Sequence, residues 1–267
     1  MTAGMSRFVV ASIAAVGLGL ATCWIASPED LGLVGALLLA TVVLVHAAVG
    51  FLRRMVREHV AQLGRELQAH GSLLHAINPV RPLPQLGGHA LSAHRALLLH
   101  NLFLEHRPRT IVEFGSGSST LFAAYFVRSA GSGRVVSFEH DAGYAELTRK
   151  LLARHGLEGF AEVVHAPLSE VSVGGETWRW YRVDPAMLPE QVDFLFVDGP
   201  PRKTCKLARY PAVPALASRM VKGTVVLLDD AARKDEQEIG RRWLESMSRL
   251  RSLPIGGELN MLAFVVD

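Results

Sequence analysis

The stretch that decides the fold is Arg109-Thr110-Ile111-Val112-Glu113-Phe114-Gly115-Ser116-Gly117-Ser118-Ser119-Thr120. A short apolar segment runs into a glycine turn, and the serines and threonine that follow are typical of a helix start. Gly115 and Gly117 have no Cβ, so the backbone of this turn can approach a ligand closely. The helix N-terminus then offers unpaired N–H groups to a polar or anionic ligand. The stretch predicts a strand, a ligand-binding turn and a helix, in that order.

A second apolar segment, Val135-Val136-Ser137-Phe138, ends in Glu139, which lies 22 residues after Gly117. An acidic residue at this distance from a glycine turn is placed to accept hydrogen bonds from ribose hydroxyls. The two segments together predict a βαβ unit that binds a cofactor of the adenosine type.

The glycine pattern distinguishes two cofactor classes. Dinucleotide-binding enzymes carry G-x-G-x-x-G, but here the third glycine position is Thr120, and Glu113 stands two residues before Gly115. This E-x-G-x-G form resembles the first motif of class I S-adenosylmethionine (AdoMet) methyltransferases. Over residues 81–267 the chain looks like a bacterial subfamily related to metal-dependent O-methyltransferases of the catechol and macrocin types. The resemblance implies that AdoMet is the cofactor and that Glu113 helps to orient its methionine end.

Three later segments have the pattern of strands in the same sheet. Residues 161–168 read as the third strand with its loop, and residues 192–201 and 223–230 as the fourth and fifth. The last two are nearly continuous apolar runs, typical of strands buried on both faces, until they reach Asp198 and the pair Asp229-Asp230. In an open parallel sheet, ligands bind outside the carboxyl ends of the strands. We therefore expect an α/β fold with a doubly wound, Rossmann-like methyltransferase sheet.

The resemblance also implies roles for individual residues. The expected cofactor-binding residues are Glu113, Gly115, Gly117, Ser118, Glu139, His140 and His165. The expected ligands of a possible Mg²⁺ ion are Asp198, Asp229 and Asp230, with Asp198 also catalytic. Mg²⁺ prefers hard oxygen ligands and could hold an acceptor oxygen as the oxyanion. The alternative is that these aspartates cap helices or form turns, or that they act without a metal.

One position departs from the catechol-type pattern. That pattern has a lysine base shortly after the fourth-strand aspartate, but the third residue after Asp198 is Pro201. Lys203 and Lys206 are nearby but out of register, so we assign no general base.

The N-terminal fifth of the chain has a different composition. Residues 8–26 and 31–52 contain no charged side chain, and each segment is long enough to cross a hydrocarbon core of about 30 Å as a helix. The short turn between them, Ser27-Pro28-Glu29-Asp30, predicts an antiparallel transmembrane hairpin in residues 1–52. Arg7 precedes the hairpin and three arginines follow it, which predicts a multi-pass protein of the cytoplasmic (inner) membrane with its catalytic domain facing the cytoplasm. The alternative is that residues 8–26 form a cleavable signal peptide.

Residues 53–80 read as an amphipathic linker helix before the catalytic domain of residues 81–267. Apolar residues recur at heptad spacing, with Val56, Leu63, His70 and Ile77 in one position and Val60, Leu67 and Leu74 in another. Three heptads could form a coiled coil, and hence a homodimer through residues 53–78. The alternative is a helix that lies on its own catalytic domain or on the membrane surface.

Composition excludes several classes of function. The two cysteines, Cys23 and Cys205, fall in different segments, so neither a disulfide framework nor a cysteine-based zinc site is indicated. The net charge of +3 is partly set by the arginines that flank the membrane segment, and no nucleic-acid-binding module is present.

We interpret the chain as a membrane-anchored, AdoMet-dependent methyltransferase. The anchor contacts membrane lipids, and the acceptor is a small-molecule or lipid-linked compound that receives the methyl group on oxygen. A non-catalytic membrane scaffold that keeps the methyltransferase fold is the alternative. An aminopropyl transferase is disfavoured, because Arg202, Lys203 and Lys206 would repel a polyamine.

Overall fold

The computed structural model of the chain describes residues 28–88, 90–256 and 260–267. Contacts divide the chain between Gly64 and Arg65 into two compact units. The second unit therefore includes residues 65–80, which the sequence pattern assigns to the linker, together with residues 81–267, the predicted catalytic domain.

The longest helix, α1 (Pro28–Ile77), joins the second predicted membrane span and the predicted linker helix without a break. Among the described residues, one helical segment, Val34–Ile77, is long and apolar enough to cross a membrane by length and composition. Side chains such as Leu39 and Leu44 are exposed. The first predicted span, residues 8–26, lies outside the described residues, so the hairpin stays a prediction.

The last turns of α1 belong to the core of the second unit. Ala69, Leu73 and Ile77 recur every four residues, which places them on one helical stripe, and all three are buried. The heptad pattern predicts a dimer position for Ile77, but this residue lies in the core of its own domain. Leu67 remains exposed. For residues 69–77, the hypothesis of a helix packed on its own domain is the one that the structure supports.

The sheet of the second unit contains seven strands among the described residues. They are β1 (Thr110–Phe114), β2 (Arg134–Glu139), β3 (Ala161–His165), β6 (Val192–Val197), β7 (Met220–Asp229), β8 (Leu250–Leu253) and β9 (Met261–Val266), while β4 (Leu168–Val173) and β5 (Glu176–Tyr181) pair separately. The spatial order is β3-β2-β1-β6-β7-β9-β8. The first five of these neighbours run parallel, and β9 pairs antiparallel with both β7 and β8. The predicted Rossmann-like sheet is confirmed.

The direction of winding reverses between β1 and β6, which are hydrogen-bonded neighbours although β2 to β5 separate them in the chain. In open α/β sheets the ligand crevice lies at such a switch point, outside the carboxyl ends of the strands. Both Gly115 and Asp198 follow directly after these two strands. The topology therefore brings two predicted site residues to one edge of the sheet.

The helices cover both faces of the sheet because the strand residues alternate between two apolar clusters. Ile111, Phe194 and Leu227 pack in one cluster with residues of helices α2 (Ala93–His106), α3 (Ser118–Ala130) and α4 (Ala142–Arg154). Val112, Leu195 and Leu228 pack in the other cluster with residues of α5 (Ala212–Leu216) and α6 (Lys234–Ser246). Such burial on two faces explains the continuous apolar runs of the sequence.

The two-stranded hairpin of β4 and β5 lies between β3 and β6 in the chain. The aromatic residues of β5, Trp178, Trp180 and Tyr181, are buried in the same cluster as α5 and α6. The hairpin thus covers part of one sheet face.

Candidate active site

The glycine turn connects the ends of three strands. The amide of Gly115 donates to the carbonyl of Phe138 at 2.9 Å, and the amide of Asp198 donates to the carbonyl of Phe114 at 2.9 Å. Gly115 has a φ of +98°, and a Cβ at this position would lie 3.2 Å from the carbonyl carbon of Asp198. The turn therefore requires glycine, both for its backbone conformation and for its close approach to the loop after β6.

Glu113 lies beneath this turn with 2% of its surface exposed. Its carboxylate accepts hydrogen bonds from the hydroxyls of Ser119 and Thr120 in the first turn of α3. Burial raises the pKa of Glu113 to about 7, although the hydroxyl donors act in the opposite direction. In the described structure Glu113 holds the helix start, and its contact with the cofactor remains a prediction.

The raised pKa makes stability depend on pH. The folded-state pKa of Glu113 lies above the unfolded value of 4.5, so folding favours the protonated side chain. The resulting contribution to stability is fully present below pH 4.5 and is lost as pH rises through about 7. We expect Glu113→Gln to remove this loss and to be more stable than the natural protein at pH 8, by up to about 3 kcal/mol. Denaturant unfolding at pH 5 and pH 8 measures the difference. Parallel pH dependence in both proteins would contradict the expectation.

Glu139 ends β2 and is 5% exposed. Its Oε2 accepts from the amide of Ser116 at 2.9 Å and from the Ser116 hydroxyl at 3.2 Å, and its Oε1 accepts from the amide of Asp141 at 3.0 Å. The carboxylate predicted to meet the ribose is thus in contact with the glycine turn itself. Ser118, at the start of α3, accepts from the amide of Leu91 at 3.3 Å.

The two predicted histidines lie beside Glu139. His140 Nδ1 is 2.8 Å from Glu139 Oε1, and the exposed His165 has its Nε2 3.2 Å from the carbonyl oxygen of His140. The ring of His140 meets the ring of Tyr181 edge-on at 6.2 Å. The structure therefore brings Glu139, His140 and His165 together on the β2 side of the turn.

The hydroxyl of Tyr181 is close enough to Glu139 and to Asp198 to interact electrostatically with both carboxylates. It is 1% exposed, and its hydroxyl has no hydrogen-bond partner among the described residues. Burial raises its pKa well above the usual value, and the carboxylates of Glu139 and Asp198 add to that shift. The group is therefore a neutral hydroxyl at physiological pH. A Cβ on Gly199 would lie 2.0 Å from it.

This contact predicts the effect of a paired substitution. Gly199→Ala should lower the free energy of unfolding by about 2 kcal/mol, because the packed Tyr181 ring cannot withdraw its hydroxyl without strain. Tyr181→Phe alone should be close to neutral, since it removes an unpaired buried hydroxyl. In a protein that already carries Tyr181→Phe, Gly199→Ala should lower the free energy of unfolding by clearly less. Equal losses in both backgrounds, measured by denaturant unfolding, would contradict the contact.

The three aspartates that follow β6 and β7 pair with arginines. Arg209 Nη2 lies 3.0 Å from both Asp198 Oδ1 and Asp230 Oδ2, and its Nη1 donates to the carbonyl of Asp229 at 3.1 Å. Arg95 Nη1 donates to the two carboxylate oxygens of Asp229 at 2.8 and 2.9 Å. Burial raises the pKa of Asp198, Arg209 opposes that shift, and the other two carboxylates add to it.

Comparison with known proteins agrees with this geometry. Residues 112–231 match the family model described as a methyltransferase domain. Residues 112–231 are thus similar to a methyltransferase domain. The match covers both the glycine turn and the aspartates after β6 and β7, and it confirms the resemblance to class I AdoMet-dependent methyltransferases.

A solved methyltransferase structure shows a similar fold. The SAH-bound methyltransferase of Podospora anserina is 14% identical, with a TM-score of 0.51, over 67% of this chain and 80% of that one. The O-methyltransferase of Bacillus cereus in complex with SAH is 21% identical, with a TM-score of 0.48, over 74% of this chain and 90% of the other. No curated protein matches the chain.

The aspartates of the methyltransferase domain do not fit a divalent cation as the structure arranges them. Within residues 28–88, 90–256 and 260–267, no group of three His, Cys, Asp or Glu side chains could hold a metal ion. Instead, the Arg209 guanidinium lies between Asp198 and Asp230, and Asp229 faces Arg95. The predicted Mg²⁺ site is therefore not supported.

The sequence patterns do not indicate three of the functional candidates: Arg95, Arg209 and Tyr181. One signal could have indicated Arg209, which stands in the segment Leu207-Ala208-Arg209-Tyr210, because a buried arginine requires carboxylate partners. Arg95 and Asp229 are 134 residues apart in the chain, and their pairing follows only from the packing of α2.

Proposed function

We propose that the chain transfers the methyl group of AdoMet to a hydroxyl oxygen of a small or lipid-linked acceptor at a membrane surface. One observation carries the proposal. The Gly115 turn, the Glu139 carboxylate and Asp198 come from three different strands and meet at the switch point of the sheet.

Two features of the site and one comparison support AdoMet as the cofactor. The carboxylate of Glu139 is placed for the ribose hydroxyls. Its Oε2 atom accepts two hydrogen bonds from Ser116, one from the amide and one from the hydroxyl. The first turn of α3 offers amide donors for the polar methionine end of the cofactor. The Podospora anserina structure is described as SAH-bound, which agrees with the same cofactor here.

The chemical step needs a group that accepts a proton from the acceptor. The new bond forms between the acceptor oxygen and the methyl carbon as the bond from that carbon to sulfur breaks, and the hydroxyl proton must leave the oxygen. Asp198 is partly exposed, with 32% of its side chain accessible, and its pKa is raised. We assign it as the residue that binds the acceptor hydroxyl and takes this proton.

The composition of α1 supports a membrane location. Its apolar part is long enough to span a bilayer, and Arg53, Arg54 and Arg57 follow the predicted span. We propose that this segment anchors the enzyme with the catalytic domain on the cytoplasmic side. The proposal of a two-span, multi-pass hairpin additionally requires that residues 8–26 form a transmembrane helix.

A homodimer through α1 is a further part of the proposal. Val56, Val60, Leu63 and Leu67 keep their heptad spacing and are 58–65% exposed. Replacing Leu63 by lysine should shift the purified protein from dimer to monomer in sedimentation if these side chains form a seam. An unchanged sedimentation coefficient would favour contact with lipid or with no partner.

Methyl transfer can be tested without knowing the acceptor. The full-length protein in lipid nanodiscs is incubated with AdoMet that carries a labelled methyl group and with either a membrane extract or a cytosolic extract. We expect label in a membrane-derived compound and loss of that label with Asp198→Asn. Transfer to a soluble metabolite alone would remove the membrane acceptor. Cofactor binding without any transfer would favour the non-catalytic scaffold.

A further inference from the structure

We infer that the guanidinium of Arg209 takes the place of the divalent cation, so that methyl transfer by this chain needs no metal ion. The inference rests on the proposed function and concerns the electrostatics of the same site. Arg209 contacts all three residues that the family resemblance assigns to Mg²⁺. It pairs with the carboxylates of Asp198 and Asp230 and donates to the backbone oxygen of Asp229.

The position of Arg209 makes it a fixed part of the site. It follows Ala208 in an apolar segment and is 4% exposed. A buried guanidinium requires carboxylate partners, because an uncompensated charge in the interior is very costly. Asp198 and Asp230 provide these partners at 3.0 Å each. A metal ion at this position would have to share both carboxylates with the guanidinium of Arg209.

The other carboxylates of the cluster also face arginines, and Glu236 Oε1 lies 4.0 Å from Arg209 Nη1. Arg95 binds both carboxylate oxygens of Asp229, and Arg233 Nη1 lies 2.7 Å from Asp230 Oδ2. Each of the three aspartates therefore faces at least one guanidinium. A divalent cation brought to this cluster would be repelled by the arginines and would find its carboxylate ligands already in ion pairs.

The arrangement gives Arg209 a positioning role. It holds Oδ1 of Asp198, and the structure shows no hydrogen bond to Oδ2 from any described residue. One oxygen of Asp198 is thus fixed, while a third of the side chain stays accessible. Arg209 supplies a positive charge at the strand ends and orients the carboxylate that we assign to the acceptor. It acts through Asp198 and is not itself assigned a contact with substrate.

Binding of Mn²⁺ tests this inference without requiring turnover. Electron paramagnetic resonance measures bound Mn²⁺ in the full-length protein, in Arg209→Ala, in Arg209→Ala combined with Asp198→Ala, and in Arg219→Ala. Arg219 is a suitable control because it donates to the backbone oxygens of Leu188 and Pro189, away from the aspartates. Arg209→Lys, which keeps a positive charge, is included in case Arg209→Ala does not fold.

We expect no bound Mn²⁺ in the natural protein, in Arg209→Lys or in Arg219→Ala. Arg209→Ala should gain one site, because the carboxylates of Asp198 and Asp230 lose their shared counter-charge, and Asp198→Ala should remove that site again. Methyl transfer by the natural protein should be unchanged in EDTA. A natural protein that binds Mn²⁺ through Asp198, or a folded Arg209→Ala that gains no site, would overturn the inference. An inactive natural protein without bound Mn²⁺ would count against the proposed function and leave the role of Arg209 standing.

Discussion

Asp198→Asn is expected to reduce the rate of methyl transfer by about three orders of magnitude, within the range of general-base losses. Asparagine keeps an oxygen that can accept from Arg209 but cannot take the acceptor proton. Affinity for AdoMet should stay within about five-fold, since the cofactor contacts are assigned to the turn after β1 and to Glu139. Single-turnover rates and calorimetric titration separate the two effects.

Asp193→Asn provides the matched control on the same strand. Asp193 lies near the opposite end of β6 and accepts from the amides of Arg109 and Thr110 at 3.0 and 2.9 Å. Its replacement should leave turnover unchanged. If Asp198→Asn retained full turnover, Asp198 would be a structural partner of Arg209 and the assigned proton transfer would be wrong.

Gly115→Ala should abolish measurable binding of AdoMet and lower the free energy of unfolding by about 2–4 kcal/mol. Alanine is strained at a φ of +98°, and its Cβ would meet the backbone of Asp198 and Gly199 at 3.2 Å. Backbone atoms cannot rotate away as a side chain can. The turn would have to separate from the loop after β6. The cofactor-binding turn and Asp198 would then no longer be correctly positioned relative to each other.

Gly131→Ala separates backbone strain from this contact. Gly131 has a φ of +71° after α3, and a Cβ there would have no atom within 4 Å. We expect a loss of about 1 kcal/mol and unchanged affinity for AdoMet. Equal effects of the two substitutions on cofactor binding would show that the approach of Gly115 to Asp198 is unimportant.

The strand ends can be predicted from sequence because they combine two local signals. An apolar run that stops at a glycine or a carboxylate marks both a buried strand and the edge at which ligands bind. These signals place Glu139, Asp198 and Asp229 at that edge, and the structure has them there.

The charge partners of the aspartates cannot be predicted, because they depend on tertiary packing. Arg95 reaches Asp229 from α2, and Arg209 reaches three aspartates from the segment before α5. Neither spacing nor composition records such contacts. The heptad pattern of α1 is ambiguous for a related reason: the same apolar spacing serves a coiled coil and an amphipathic helix. Only the burial of Leu73 and Ile77 distinguishes them for the last turns.

Calorimetric titration of AdoMet into the full-length protein in nanodiscs tests the central claim most directly. We expect micromolar binding that Glu139→Ala weakens at least about 100-fold, through the loss of charge-assisted hydrogen bonds to the ribose. Glu162→Ala, an exposed substitution on the neighbouring strand β3, should leave the affinity unchanged. Absence of AdoMet binding by the natural protein, or equal affinity in Glu139→Ala, would contradict the assignment of this sheet edge as the cofactor site.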